Sequence, residues 1–111
     1  MSEIDKFFRD ADALSSVVFI HDYVQLVFQG RILNIYAPYT IKRGERRISS
    51  GEAGYADELV SLIGASVTDI EERDDVISLA FDCGVSVRIA DNADGSEAVS
   101  LHQSDAPTIA D

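Results

Sequence analysis

Few side chains in this sequence are of a type that does chemistry, and their neighbours decide between a chemical and a structural role. The single cysteine, Cys83, stands between Asp82 and Gly84. A nucleophilic thiolate needs positive surroundings, and this setting lacks them. Ser15, Ser16, Ser49 and Ser50 come without the Gly-x-Ser-x-Gly context that sets a serine on a strained strand-to-helix turn. Neither His21 nor His102 has a second ligand at metal-binding spacing. Glu71, Glu72, Asp74 and Asp75 suggest a cation site at first sight. An EF-hand loop, however, needs oxygens at alternating positions and a glycine at the sixth. Paired carboxylates hydrolyse a glycoside only at a defined separation, which sequence does not supply. The run Ser49-Ser50-Gly51-Glu52-Ala53-Gly54 is small enough for an anion cradle, yet lacks the Gly-Lys-Ser or Gly-Lys-Thr ending of a phosphate loop. The expectation is a binding protein rather than an enzyme, with no metal and no cofactor.

Charge says more than any of these motifs. Among 111 residues, 20 are acidic and 9 basic, a net of −11. Residues 1–51 hold seven basic and six acidic groups, a net of +1, whereas residues 52–111 hold two and fourteen, a net of −12. Such a field repels nucleic acid and anionic membranes and favours a cationic partner. Asp69, Glu71, Glu72, Asp74 and Asp75 crowd one expected connection and are the first-choice partner surface. Asp91, Asp94 and Glu97, on a second connection, come next. The basic stretch Lys42-Arg43-Gly44-Glu45-Arg46-Arg47 is expected to pair with the chain's own acids.

Composition bounds the rest. An apolar share of 46% excludes global disorder, and no apolar run reaches the roughly 18 residues of a membrane-spanning helix. The start Met1-Ser2-Glu3-Ile4-Asp5 lacks the basic and apolar stretches of a secretory signal, and one cysteine cannot form an internal disulfide. Both point to the cytoplasm.

The elements that must carry these groups follow from periodicity. Ile4, Phe7, Phe8, Ala11 and Leu14 make one apolar stripe and predict an N-terminal helix capped by Ser2. From Val17 the period becomes two. Val17–Ile20, Tyr23–Phe28 and Arg31–Tyr36 predict three strands, joined at His21-Asp22 and Gln29-Gly30 and ended by Pro38. Residues 42–54 predict an exposed loop. Ser49 and Glu52, at capping-box spacing, predict a second helix in which Tyr55, Leu59, Val60 and Ile63 share a face, with Gly64 just past its end. The strand pattern then recurs. Val67–Ile70 answers Val17–Ile20, with Glu71–Asp75 as connection; Val76–Phe81 answers Tyr23–Phe28, and Val85–Ala90 answers Arg31–Tyr36. One extra residue, at Cys83, separates the two registers. Glu97–Leu101 adds a last edge strand.

The expected fold is therefore α+β: an antiparallel sheet or roll of about six to seven strands, covered by an N-terminal and a central helix. Residues 1–102 form a single domain with pseudo-repeats at about 14–37 and 64–91, and 103–111 is a flexible acidic tail.

Leu62-Ile63-Gly64-x-x-Val67, then Ile77-x-Leu79-x-Phe81-x-x-Gly84-x-x-Val87-x-Ile89, then Glu97-Ala98-x-x-Leu101, resembles a family of short, uncharacterised bacterial proteins. In that family a Leu-Gly-Val opening precedes a Leu-x-Phe hairpin and a Glu-Ala pair begins the final strand. Leu26-x-Phe28-x-Gly30-x-x-Leu33-x-Ile35 looks like the matching first hairpin. The family pattern has an aromatic before the Glu-Ala pair and a tryptophan after it, where this chain has Ser96 and Val99. In size, acidity and lack of catalytic motif the chain also resembles immunity proteins of contact-dependent or polymorphic toxin systems. That resemblance implies a basic toxin as partner, such as a nuclease, whose active site is occluded. It brings no catalytic residues. A homodimer joined through an exposed edge strand is the competing expectation, and a small-ligand site at His21, Asp22 and the 49–54 loop is a third.

Overall fold

The computed structural model describes residues 3–8, 11–21, 23–73, 76–90 and 98–103. Among them are nine strands and two short helices. In chain order these are α1 (Glu3–Phe8), β1 (Ser16–Ile20), β2 (Tyr23–Phe28), β3 (Arg31–Ile35), β4 (Tyr39–Arg43), β5 (Arg46–Ser49), α2 (Tyr55–Val60), β6 (Val67–Arg73), β7 (Val76–Phe81), β8 (Val85–Ala90) and β9 (Val99–Gln103). They form two antiparallel sheets, β1-β2-β3-β9 and β5-β4-β8-β7-β6. The architecture is thus mostly β, which corrects the α+β expectation of a sheet or roll covered by two helices.

Three local readings account for that correction. The apolar stripe from Ile4 to Leu14 does not belong to one helix: α1 stops at Phe8, and Leu14 lies outside any helix. Leu14 accepts a hydrogen bond from the Gly64 amide and donates its own to the Ala65 carbonyl, each at 2.8 Å. Residues 42–54 are not one loop, because β4 and β5 pair from Thr40↔Ser49 to Arg43↔Arg46 around Gly44, whose φ is +61°. In this hairpin Tyr39, Ile41 and Ile48 are buried while Lys42 and Arg47 face out, so the period of two is intact but its outer half is charged. The Ser49/Glu52 spacing makes a turn, not a helix start. The Glu52 carboxylate accepts from the Ser49 amide at 2.6 Å, and α2 begins three residues after Glu52, behind Gly54.

Each pseudo-repeat folds as a three-strand meander, β1-β2-β3 and β6-β7-β8. The two meanders lie in different sheets, and each is completed by the strand that follows the other. β4, next after β3 in the chain, pairs with β8, while β9, next after β8, pairs with β3. The registers match across the exchange: Leu33↔Leu101 and Ile35↔Val99 in one sheet correspond to Val87↔Ile41 and Ile89↔Tyr39 in the other. The junctions match as well, with Tyr36 N–H donating to the Ala98 carbonyl and Ala90 N–H to the Pro38 carbonyl.

The inner faces of both sheets meet in one core. Leu26, Phe28, Leu33 and Ile35 come from the first sheet, and Ile41, Leu79, Val87 and Ile89 from the second. Leu59 and Leu62 close one side, and α1 closes another with Phe7 and Phe8, the latter edge-on to Phe28 at 5.0 Å. Burial at about 25 cal/mol per Å² of apolar surface makes this core, rather than either short helix, the source of stability. No helix among the described residues is long and apolar enough to cross a membrane.

Candidate functional site

The acidic residues singled out from the sequence divide three ways. Asp69, Glu71 and Glu72 lie exposed on β6, the last strand of the five-stranded sheet. Asp74, Asp75, Asp91, Asp94 and Glu97 lie outside the described residues. Of the connection expected at Glu71–Asp75, Glu71, Glu72 and Arg73 instead belong to the strand, because pairing continues through Glu71↔Ser78, Glu72↔Ile77 and Arg73↔Val76. A strand alternates its faces, so its charges separate. Ile70 lies opposite the fully buried Leu79 and takes the core side, and Glu72 follows it two residues on. Asp69, Glu71 and Arg73 take the outer face. There Arg73 donates to the Glu71 carboxylate at 3.1 Å, with both side chains more than half exposed. An ion pair so open to water contributes little to stability.

The same alternation splits the basic hairpin. Arg43 and Arg46 fall on the core side of the sheet and reach α2, where both meet the Glu58 carboxylate, at 3.0 and 3.8 Å. Arg43 also donates to Ser61 Oγ at 2.7 Å. Glu58, whose side chain is 14% exposed, is the anchor of this network. Pairing with the chain's own acids is therefore a property of two of the four basic residues here. Lys42 and Arg47 point the other way and make no ion pair among the described residues.

The outer face of the five-stranded sheet thus has two signs. Read across the strands, one row runs Ser49, Thr40, Arg88, Ser78, Glu71, and the next runs Arg47, Lys42, Ser86, Ala80, Asp69. Cations occupy the β5-β4-β8 end, carboxylates the β6 edge, and serines with Ala80 the ground between. Neighbouring strands lie about 4.8 Å apart, so the cation-bearing strands stand about 10–19 Å from β6.

A second feature touches the small-ligand expectation through His21 and the 49–54 stretch, while its aromatic lining was not foreseen. All four tyrosines of the chain, Tyr23, Tyr36, Tyr39 and Tyr55, line one cavity of about 330 Å³, together with Phe19, His21, Ser50 and Gly51. Phe19 and Tyr55 meet edge to face at 6.1 Å, Tyr39 and Tyr55 lie 6.4 Å apart, and Tyr23 and Tyr36 lie 5.0 Å apart. Burial, helped by the neighbouring Tyr55 phenol, pushes the Tyr39 hydroxyl up to about 12, which delays its ionisation to strongly alkaline pH. The tyrosines come from the β2–β3 hairpin, the crossing into β4 and α2, and every residue lining the cavity lies between 19 and 55.

Cys83 is exposed in the β7–β8 turn, His102 is exposed on β9 opposite Ile32, and Ser15 Oγ donates to the Val27 carbonyl at 3.0 Å. Among the described residues no three histidine, cysteine or carboxylate side chains gather closely enough to share a metal ion. No protein-family model, curated protein or solved structure matches the chain.

Proposed function

We propose that this chain is a non-enzymatic, cytoplasmic binding protein that docks a basic protein through the acidic β6 side of its five-stranded sheet. In the class suggested by the likeness to immunity proteins, that partner is a basic bacterial toxin such as a nuclease, neutralised when its active site is covered. One observation carries the reading: among the described residues β6 is an edge strand, Asp69 and Glu71 share its outer face, the one ion pair there is the exposed Arg73–Glu71 contact, and the arginines of the basic hairpin lie at the far end of the sheet. A net of −12 in residues 52–111 adds the long-range field that speeds encounter with a cation-rich surface. The test is charge reversal. Asp69→Lys with Glu71→Lys is expected to slow association with the cognate basic partner at least tenfold at low salt and to abolish protection of cells carrying the toxin. Unchanged binding and protection would refute the assignment.

A second reading rests on the tyrosine-lined cavity, where His21 and the 49–54 turn come together as a small-ligand site would require. Saturable chemical-shift changes confined to Phe19, Tyr36, Tyr39 and Tyr55 in a small-molecule screen, with charge reversal on β6 leaving protein partners unaffected, would favour it.

A further inference from the structure

We infer that Lys42, Arg47 and Arg88 form an oxyanion-binding site on the outer face of the five-stranded sheet, suited to the phosphate group of a small phosphate monoester. The inference does not rest on the acidic edge or on a protein partner.

The argument starts from register. Lys42 lies directly opposite Arg47, and Thr40 lies opposite both Ser49 and Arg88. Ile41, Ile48, Val87 and Ile89 take the core side of these strands, so all three cations project from the same face, and all three are exposed. Like charges directly across a strand pair oppose each other. The chain holds 20 carboxylates that could relieve this, yet among the described residues the carboxylate partners go to Arg43, Arg46 and Arg73 instead. Among the described residues, three cations without a carboxylate partner are thus collected at one place in a protein of charge −11. An anion bound among them removes the repulsion and gives each cation a partner.

Shape and composition then narrow the anion. The three cations border a cavity of about 270 Å³ lined also by Thr40 and Ser49, whose hydroxyls share one hydrogen bond at 3.5 Å and so leave one hydroxyl proton to offer, and by Pro38, Val76 and Ala90 farther along. One end is therefore cationic, the middle offers a hydroxyl donor and the other end is apolar. Strands about 4.8 Å apart place three long side chains within reach of a single group. Two guanidinium forks and an ammonium suit an oxyanion with three terminal oxygens and two charges better than a carboxylate with two oxygens and one charge. The apolar end fits a small hydrophobic body attached to that phosphate. At long range the net charge of the protein repels every anion, so selection here comes from short-range contacts.

The test uses the full chain and phenyl phosphate, followed by backbone amide chemical shifts at constant ionic strength. Saturable shifts on β4, β5 and β8 are expected, with inorganic phosphate binding more weakly and phenol not at all. Arg88→Gln and Lys42→Gln each remove an exposed cation and are expected to weaken binding at least tenfold. Arg73→Gln, on the same face but at β6, should leave binding unchanged. Equal shifts from sodium chloride would show charge screening only and overturn the proposal. So would benzoate binding as tightly as phenyl phosphate, phenol matching it, or an Arg88→Gln protein that binds as the parent does. Double charge reversal at Asp69 and Glu71 separates this site from the acidic edge, because it should slow protein docking at least tenfold and spare phenyl phosphate.

Discussion

β1 and β6 occupy the same place in the two meanders and meet water in opposite ways. Val17 lies across from Leu26 as Ile70 lies across from Leu79, and Ile20 faces Tyr23 as Arg73 faces Val76. Yet the outer three residues of β1 are Val18, Phe19 and Ile20, each about two-fifths exposed, while those of β6 are Glu71, Glu72 and Arg73. β6 also carries an irregularity between Val67 and Asp69, which β1 does not. Charge and a bulge are the usual means of keeping an edge strand from pairing with strangers. β1 relies on packing instead, since Phe19 leans on Tyr55 of α2. The difference teaches that inward residues and turns fix the meander, whereas the rim of each edge is left for other demands to set.

The comparison makes predictions of graded size. If the meanders are equivalent inside, Leu26→Ala and Leu79→Ala, both at fully buried positions, should each cost about 3 kcal/mol in urea unfolding. A disparity above about 2 kcal/mol would break the equivalence.

The exchanged strands differ at Tyr39, whose counterpart in β9 is Val99 and cannot titrate. The folded-state value for Tyr39 is raised to about 12 from the ordinary 10, so its contribution is fully present below pH 10. It is lost as pH rises from 10 through 12, a decline on the order of 2 kcal/mol. Ultraviolet titration should show one of the four tyrosines ionising last, and Tyr39→Phe should remove that share of the decline.

Giving β1 the rim of β6, with Val18→Glu and Phe19→Glu, should cost about 1 kcal/mol or less and suppress any concentration-dependent association. Giving β6 the rim of β1, with Glu71→Val and Glu72→Phe, should raise light scattering. The reverse pattern would show that charge is not what guards the edge.

The smallest effect separates Arg43 from Gln103, which hold matching places at the ends of β4 and β9. Arg43→Ala loses a half-exposed contact to Glu58 and is expected to cost about 0.5 kcal/mol in thermal unfolding at low salt, and less at high salt.

Much of the β architecture could be read from the chain, and the reasons it stopped short are specific. Alternation in Tyr23–Phe28 and Val76–Phe81 is clean because one face is packed and the other half-wet, and both segments are strands at those limits. Gln29-Gly30 and Asp82-Cys83-Gly84 are both turns, but the positive φ in the first falls on Gln29, at +59°, and in the second on Gly84. The β4–β5 hairpin was legible in principle, since Ile41 and Ile48 flank charged neighbours with period two, but four basic residues in six read as a loop. Counting Glu71 and Glu72 as connection aligned β1 with the wrong end of β6, because the irregularity after Val67 displaces the first residues of that strand. The cationic face depends on which strand pairs with which, and pairing between residues 40 and 88 leaves no local trace; the tyrosine-lined cavity needs α2 seated beside the β2–β3 hairpin, which periodicity does not announce either.

The reciprocal hand-over of β4 and β9 has a further effect on how the molecule comes into being. A chain emerging from a ribosome finishes the β4–β5 hairpin long before β8 exists to receive it, and the first meander waits for the final strand. Neither sheet can be completed early, so the distant pairings must form together and make folding slow but highly cooperative. For the same reason the protein cannot be cut at its midpoint into two viable halves. A half-length piece would carry a strand with no seat of its own, and a second such piece would be the natural place to put it.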